Sequence, residues 1–323
     1  MSRKKLATLA LWGAGFLLLF WALRRVSWPD LWAILRSLSP AELALLILLN
    51  IGVLLALTRR WQAFVATLPQ AIPFSTLFKA RLASFSVSYF TPGPQFGGEP
   101  MQVIALHQKQ IPASLATATV ALDKLVELLV NFTVLGLGVV ALWSVGIGDV
   151  RSRTWVSILA LSLISIPGFY LFLLWRKKHP FAALFRWMAA RRGEGKVQRG
   201  LSILAESEAL AGELARTRPV VFLHSLVWAS LAWALMLLEY ALSARFLGAS
   251  LSPVQTLAAL AAARFAFLLP MPGGLGALSA SQVLVFGAMG FDPNSAMALV
   301  LYIRGRDLIT GAIGALLAAR MVR

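Results

Sequence analysis

Long apolar stretches alternate with short polar ones along most of this chain. Apolar stretches of about 18 or more residues are typical of membrane-spanning helices. The clear ones are Leu6–Leu23, Ala41–Leu57, Leu125–Trp143, Trp155–Trp175, Val220–Leu242 and Met297–Ala318. Because no polar stretch is long enough to fold as a soluble domain, residues 1–323 are predicted to form a single membrane domain. The pattern predicts an all-α polytopic membrane protein with about six full spans.

Two breaks rich in glycine and proline interrupt the remaining apolar stretches. Their marker residues are Pro92, Gly93, Gly97 and Gly98 in the first break, and Pro272, Gly273, Gly274 and Gly276 in the second. The flanking segments are shorter than the roughly 20 residues of a span. We therefore predict two re-entrant hairpins, Leu77–Phe90 with Glu99–His107 and Leu257–Leu269 with Leu278–Met289. The alternative is that both breaks are ordinary loops between short full spans.

The position of these breaks makes them candidate binding loops. Irregular backbone persists at membrane depth only where protein or a water-filled cavity satisfies its polar groups. In transporters, interrupted segments at corresponding places of two halves are a pointer to the binding site. We therefore expect the loop tips, Phe96 and Gly276, to line a shared polar cavity near the middle of the membrane.

An offset of 180 residues aligns Pro73–Lys124 with Pro253–Arg304 without a gap. Identical pairs include Pro92 with Pro272 and Gly93 with Gly273, so the alignment superimposes the two breaks. Repeat one covers about residues 41–143 and repeat two about 220–320. If the span before the first break runs inward and Val220–Leu242 runs outward, the repeats have inverted topology.

The charge distribution sets the predicted orientation. The net charge is +17 and 13% of residues are charged, against 59% hydrophobic residues. Basic loops beside spans explain this excess, so no nucleic-acid partner is indicated. With the N-terminus in the cytoplasm, 20 of the 30 Lys/Arg lie inside, among them Arg60, Arg81 and ten residues of loop 176–218, while Arg264 is counted outside. We predict that both termini lie in the cytoplasm.

Within that basic cytoplasmic loop, apolar residues recur at helical spacing over Val197–Leu214. This pattern predicts an amphipathic helix lying on the anionic inner leaflet. A role in docking a partner protein is the alternative.

Charged residues inside the predicted spans are the candidate site. Asp123, Lys124 and Glu127 lie in one helix, and Arg304, Arg306 and Asp307 lie in its repeat partner. Each such charge costs at least about 2.5–3.5 kcal/mol at a helix centre, so these groups must face protein, water or one another. Lys124/Glu127 and Arg304/Asp307 share an i, i+3 spacing. They are either substrate-binding groups for a lipid headgroup or structural ion pairs.

Glu99 is a further candidate because it opens a half-helix directly after the first break. A carboxylate there is stabilised by the helix dipole, so capping and proton or amine binding are both open readings. No catalytic or metal-binding constellation is recognised: Cys is absent, and His107, His179 and His224 are scattered. We expect no enzyme activity and no cofactor.

The ordered motifs give a family resemblance. Gly97-Gly98-Glu99, then Leu122-Asp123-Lys124, and then Pro272-Gly273-Gly274-Leu275-Gly276 resemble the lysylphosphatidylglycerol synthase transmembrane-region family over roughly residues 5–320. That family includes the flippase half of a bifunctional synthase and many stand-alone proteins. The resemblance implies lipid handling, with Glu99, Lys124 and Arg304 at the family's charged positions. Pro100-Met101-Gln102 replaces a frequent Arg, and Ser279 replaces the Glu that commonly ends the second motif.

The first hypothesis is therefore an inner-membrane lipid transporter or flippase. Its partners would be membrane lipids, and lipid-biosynthesis proteins are possible further partners. The alternatives are a membrane-embedded enzyme acting on a lipid or polyprenyl phosphate, with Glu99 or Asp123 as acid or base, and a non-transporting subunit of a lipid- or glycan-assembly complex. The headgroup and the oligomeric state are left open.

Overall fold

A computed structural model describes residues 19–24, 26–91, 97–147, 150–191, 195–268 and 276–322, and these residues form helices without any strand. After a helical stretch at 19–23, the helices are α1 (Trp28–Ser37), α2 (Pro40–Val65), α3 (Phe74–Phe90), α4 (Glu99–His107), α5 (Ala113–Ser144), α6 (Val150–Trp175), α7 (Pro180–Ala190), α8 (Lys196–Thr217), α9 (Pro219–Phe246), α10 (Pro253–Leu268), α11 (Ala277–Ala288) and α12 (Pro293–Val322). The prediction of an all-α membrane protein is confirmed at this level.

Local sequence signals explain where several of these helices begin. Proline occupies the first position of α2, where its missing N–H would have no intrahelical partner in any case. A capping box precedes it: the Ser39 hydroxyl accepts a hydrogen bond from the Glu42 N–H at 3.2 Å, and Glu42 accepts from the Ser39 N–H at 2.8 Å. Proline also opens α7 and α9.

Three of the described helices, α2, α5 and α9, are long and apolar enough to cross a membrane. They contain the predicted spans Ala41–Leu57, Leu125–Trp143 and Val220–Leu242. The predicted span Trp155–Trp175 lies in α6, and Met297–Ala318 lies in the 30-residue α12 with its charged turn at 304–307. Most of Leu6–Leu23 is outside the described residues. Large apolar side chains such as Leu48 (64% exposed) and Leu316 (67%) face outward, as expected for a lipid-facing surface.

The helices α2 and α9, which contain the predicted repeat partners Ala41–Leu57 and Val220–Leu242, pack against each other in opposite directions. Near one end, the rings of Phe64 and Phe222 lie 5.3 Å apart. Near the middle of both helices, a side chain at Gly52 would touch Leu235. Residue numbers thus rise along one helix as they fall along its partner.

The contacts of the other helices also occur in corresponding pairs. The helices α3 and α4 pack together as a hairpin, and so do their counterparts α10 and α11. Each hairpin contacts the long helix of the other half: α3 packs on α12, and α10 packs on α5. The two halves are therefore interlocked around α2 and α9.

Helix α8 is amphipathic as predicted, but part of its apolar face is covered by protein. Ala211 is buried in a cluster with Phe64, Leu122 and Val126, and Leu210 and Leu214 pack against the same cluster. The prediction that this whole face lies on the lipid surface is wrong for the second half of α8. Ala211 stands 180 residues after Leu31, which packs α1 into the core of the other half.

Candidate functional site

A cavity of about 300 Å³ lies where the two halves meet, and residues of both halves line it. This size is at the lower end of the range of small-molecule pockets. Its lining includes five cations and five carboxylates: Arg60, Arg81, Lys124, Arg264 and Arg306, with Glu99, Asp123, Glu127, Glu239 and Asp307. Ten ionisable side chains in one membrane-domain cavity are costly unless they are paired or hydrated.

Asp123 is the centre of the ion pairs in the first half. Its Oδ1 accepts from Arg60 Nε at 2.7 Å, and its Oδ2 accepts from Arg60 at 3.1 Å and from Arg81 at 2.8 Å. The side chains of Arg60 and Asp123 are each only 3% exposed. The structure thus places Asp123 in a bidentate structural pair that ties α2 and α3 to α5.

Arg60 and Arg81 were counted from the sequence among the cytoplasmic charges. In the structure both are buried within helices and face this cavity, so that assignment is corrected. The apolar stretch of the sequence ends at Leu57, whereas α2 continues to Val65 and carries Arg60 inward. An arginine near the end of an apolar run is the only sequence signal that could have indicated this.

Lys124 joins the first hairpin to α5. Its Nζ lies 3.0 Å from Glu99 Oε1 and 2.8 Å from Glu127 Oε1, while the other oxygen of Glu127 contacts Arg60 at 2.6 Å. Glu99 also accepts a hydrogen bond from the Gly97 N–H at 2.9 Å. Glu99 therefore combines a hydrogen bond from the loop backbone with an ion pair to Lys124, and these partly exposed groups line the cavity.

In the second half, the ion pairs are centred on Arg306. Its guanidinium contacts Glu239 at 2.7 Å and Asp307 at 2.8 Å. Glu239 is 2% exposed and also accepts from the Tyr302 hydroxyl at 3.0 Å. Arg306 and Asp307 line the cavity, whereas Arg304 is not among the described lining residues. Glu239 was missed in the sequence, although an isolated acid within the predicted span Val220–Leu242 is a signal that could have indicated it.

Arg264 differs from the other four cations of the cavity in its contacts. It lies on α10 rather than in an external loop, which corrects the charge count at that position. Its guanidinium donates to the sulfur of Met236 at 2.8 Å and lies over the ring of Trp233, 5.2 Å from the centroid. Both are weak partners for a charged group.

The N-terminal parts of α4 and α11, which directly follow the two breaks, differ in their polar contacts. Gln282 accepts a hydrogen bond from the Tyr240 hydroxyl and donates to the Ala259 carbonyl at 3.1 Å. Its repeat counterpart Gln102 lines the cavity, is 2% exposed, and has no described partner for its amide nitrogen. Ser279, which stands where the first half has Glu99, is fully buried, and its hydroxyl is likewise without a described partner.

Three of the eight predicted loop residues are described. Gly97 and Gly276 have φ values of 126° and 75°, which glycine adopts readily. Gly98 lies so close to the Ser84 backbone that any side chain would overlap it. Pro92, Gly93, Pro272, Gly273 and Gly274, and the tip residue Phe96, lie outside the described residues.

The described residues contain no group of three or more His, Asp or Glu side chains suited to a metal ion. Comparison of the chain with curated proteins and with solved structures gave no match. The sequence model described as "Lysylphosphatidylglycerol synthase TM region" matches residues 6–314, which is nearly the whole chain. Together with the apolar helices around a charged cavity, this match shows that the chain belongs to the lysylphosphatidylglycerol synthase transmembrane-region family.

Proposed function

We propose that this protein moves a phospholipid or another polar-headed lipid between the leaflets of the bacterial inner membrane. The observation that carries the proposal is the cavity itself, which both halves line with charged side chains inside a membrane domain. A polar headgroup cannot cross hydrocarbon without such a lining. The apolar outer surface would let the acyl chains stay in the lipid.

Alternating access between the two leaflets is the proposed mechanism. The antiparallel packing of α2 and α9, which are repeat partners, supports an inverted repeat with its axis in the membrane plane. In this arrangement the α3–α4 and α10–α11 hairpins are re-entrant from opposite faces. Because each hairpin packs on the long helix of the other half, rocking one half would move both walls of the cavity together.

The ion pairs of Lys124 are suited to brief binding of a polar headgroup. Lys124 has two carboxylate neighbours, Glu99 and Glu127, all partly exposed to the cavity. We propose that a headgroup exchanges with one of these contacts, so that Lys124 meets an anionic group while Glu127 retains Arg60. Arg304, which was predicted to share this role, remains a second candidate near the cavity.

The direct test is transport of fluorescent phosphatidylglycerol and phosphatidylethanolamine in proteoliposomes, read by quenching of the outer leaflet. We expect Lys124→Ala to slow exchange at least about tenfold, because the charge-assisted contact is lost. Arg59→Ala is the control, since Arg59 is exposed and contacts only Gln62 and Phe74 among the described residues. Equal rates for Lys124→Ala and the parent would remove Lys124 from the proposed pathway.

Mass spectrometry of the same lipids separates transport from chemistry. We propose that the protein is not an enzyme, so the lipid masses should be unchanged after incubation. A modified or cleaved headgroup would instead support the membrane-embedded enzyme.

A further inference from the structure

We infer that Arg264 is the residue that binds the phosphate group of the transported lipid, a role that rests on the proposed function. The inference starts from a comparison of the five cavity cations. Arg60, Arg81, Lys124 and Arg306 each have a carboxylate oxygen within 3.0 Å. No carboxylate of the described residues lies within salt-bridge distance of Arg264. The four paired cations must break an ion pair to bind an anion, whereas Arg264 need not.

The contacts of Arg264 leave its hydrogen-bonding capacity largely unused. A guanidinium carries five N–H donors in one plane. The described contacts of Arg264 are the sulfur of Met236 at 2.8 Å and the face of Trp233 at 5.2 Å. The contact with the Trp233 face uses none of the in-plane N–H groups, so the N–H groups that do not contact Met236 can donate to a ligand. Two parallel N–H···O bonds to a phosphate match this geometry.

The site belongs to one half only. The position 180 residues earlier is Ser84, which also lines the cavity but carries no charge. One turn away on the same helix, Arg81 is neutralised by Asp123. The cavity thus has paired charges on the wall formed by the first hairpin and an anion-binding arginine on the wall formed by the second. A single phosphate with an adjacent polar group fits this asymmetry.

The ligand could be a phosphodiester within a lipid or a soluble phosphate ester, and binding measurements separate the two. We would titrate detergent-purified protein with phosphatidylglycerol, with diacylglycerol of the same chains, and with glycerol-3-phosphate, and count bound molecules by native mass spectrometry. We expect Arg264→Gln to weaken phosphatidylglycerol binding about tenfold, because one charge-assisted interaction is lost. Diacylglycerol binding should not change. Arg264→Lys should retain part of the affinity, and Arg59→Gln should match the parent.

Each outcome has a distinct meaning. Unchanged phosphatidylglycerol affinity in Arg264→Gln would overturn the inference. Equal affinity of the parent for glycerol-3-phosphate would reassign the site to a soluble anion and overturn the lipid assignment. Arg264-dependent binding without transport in proteoliposomes would leave the phosphate site standing and contradict the proposed function.

A second measurement needs no substitution, in case Arg264→Gln fails to fold. An arginine-selective dicarbonyl reagent is applied to the parent protein, and modification of each arginine is read by peptide mass spectrometry. Phosphatidylglycerol should slow modification of Arg264 several-fold, whereas diacylglycerol should not. Equal modification with both lipids would contradict the inference.

Discussion

At the scale of single residues, the ion pairs divide into structural and accessible ones. Asp123 and Arg60 are almost completely enclosed, and Asp123 binds Arg60 and Arg81 rather than a ligand. Lys124, Glu99 and Glu127 are 21%, 26% and 35% exposed and can reach a guest in the cavity. Burial therefore assigns different roles to neighbouring charges on the same helix.

The buried pair predicts a large loss of stability. Asp123→Asn would leave Arg60 with Glu127 alone and remove the carboxylate partner of Arg81. Breaking a buried pair in this way typically costs about 3–5 kcal/mol, because an uncompensated charge remains. We expect a matching fall in the free energy of unfolding, measured in mixed detergent micelles. Glu206→Gln is the control, since Glu206 is exposed on α8, and equal stability of the two variants would contradict the structural role.

The ion pair of Glu99 with Lys124, which is accessible from the cavity, predicts slower transport without a large loss of stability. Glu99→Gln removes one partner of Lys124, but Glu127 remains at 2.8 Å. A partly exposed pair contributes no more than about 1 kcal/mol, so the unfolding temperature should change little. We expect lipid exchange in proteoliposomes to slow several-fold, because Lys124 loses its link to the first hairpin. A stability loss as large as that of Asp123→Asn would make Glu99 structural instead.

The sequence identified most of the charged residues and the pair Lys124 with Glu127, but not the partners from other helices. Charges inside long apolar runs were recognisable, which is why Asp123, Lys124, Glu127, Arg306 and Asp307 were predicted. Arg59 and Arg60 are adjacent in sequence, yet successive helical residues point about 100° apart, so one is exposed and the other is buried. That difference depends on which neighbours pack there. The hydropathy and charge pattern of the sequence does not show which of the two arginines is buried.

At the scale of helices, close packing depends on two glycines. A methyl group on Gly314 of α12 would overlap the Leu82 carbonyl of α3, and one on Gly98 would overlap Ser84. Small residues allow such close approach between membrane helices, where packing rather than hydrophobicity drives association. The Gly314 contact attaches the first hairpin to the other half, and the Gly98 contact holds α3 and α4 of that hairpin together.

Substitution of Gly314 is therefore expected to separate α3 from α12. Gly314→Ala should lower the unfolding temperature and slow lipid exchange, because overpacking against backbone typically costs about 1–3 kcal/mol. Gly305→Ala on the same helix is a matched control, since a methyl group there meets nothing within 4 Å. Alanine should even favour that helix slightly. Similar behaviour of both variants would contradict the close contact.

Helix boundaries were largely predictable, whereas the position of α8 was not. Proline and glycine mark the ends of α3, α4, α10 and α11 with little ambiguity. The amphipathic pattern of α8 was also correct as a pattern. An apolar helix face does not specify whether lipid or protein covers it, and the contact of Ala211 with Leu122 appears only in the packed structure.

At the scale of the whole molecule, the two halves have corresponding helix contacts but different residues in the cavity. Both hairpins cross to the opposite half, and α2 meets α9 in the antiparallel direction. Yet Arg264 corresponds to Ser84, and Ser279 corresponds to Glu99. The two walls of the cavity therefore differ in charge, which suits the asymmetric headgroup of the proposed lipid substrate.

The inverted topology can be tested with single cysteines, because the chain contains none. Gln70 and Ser250 are both exposed, lie in equivalent loops before α3 and α10, and are 180 residues apart. If the repeats are inverted with the N-terminus inside, a membrane-impermeant maleimide added to intact cells should label Ser250→Cys. It should label Gln70→Cys only after the membrane is permeabilised. Labelling of both from the same face would exclude the inversion, while the reverse pattern would preserve it and place both termini outside.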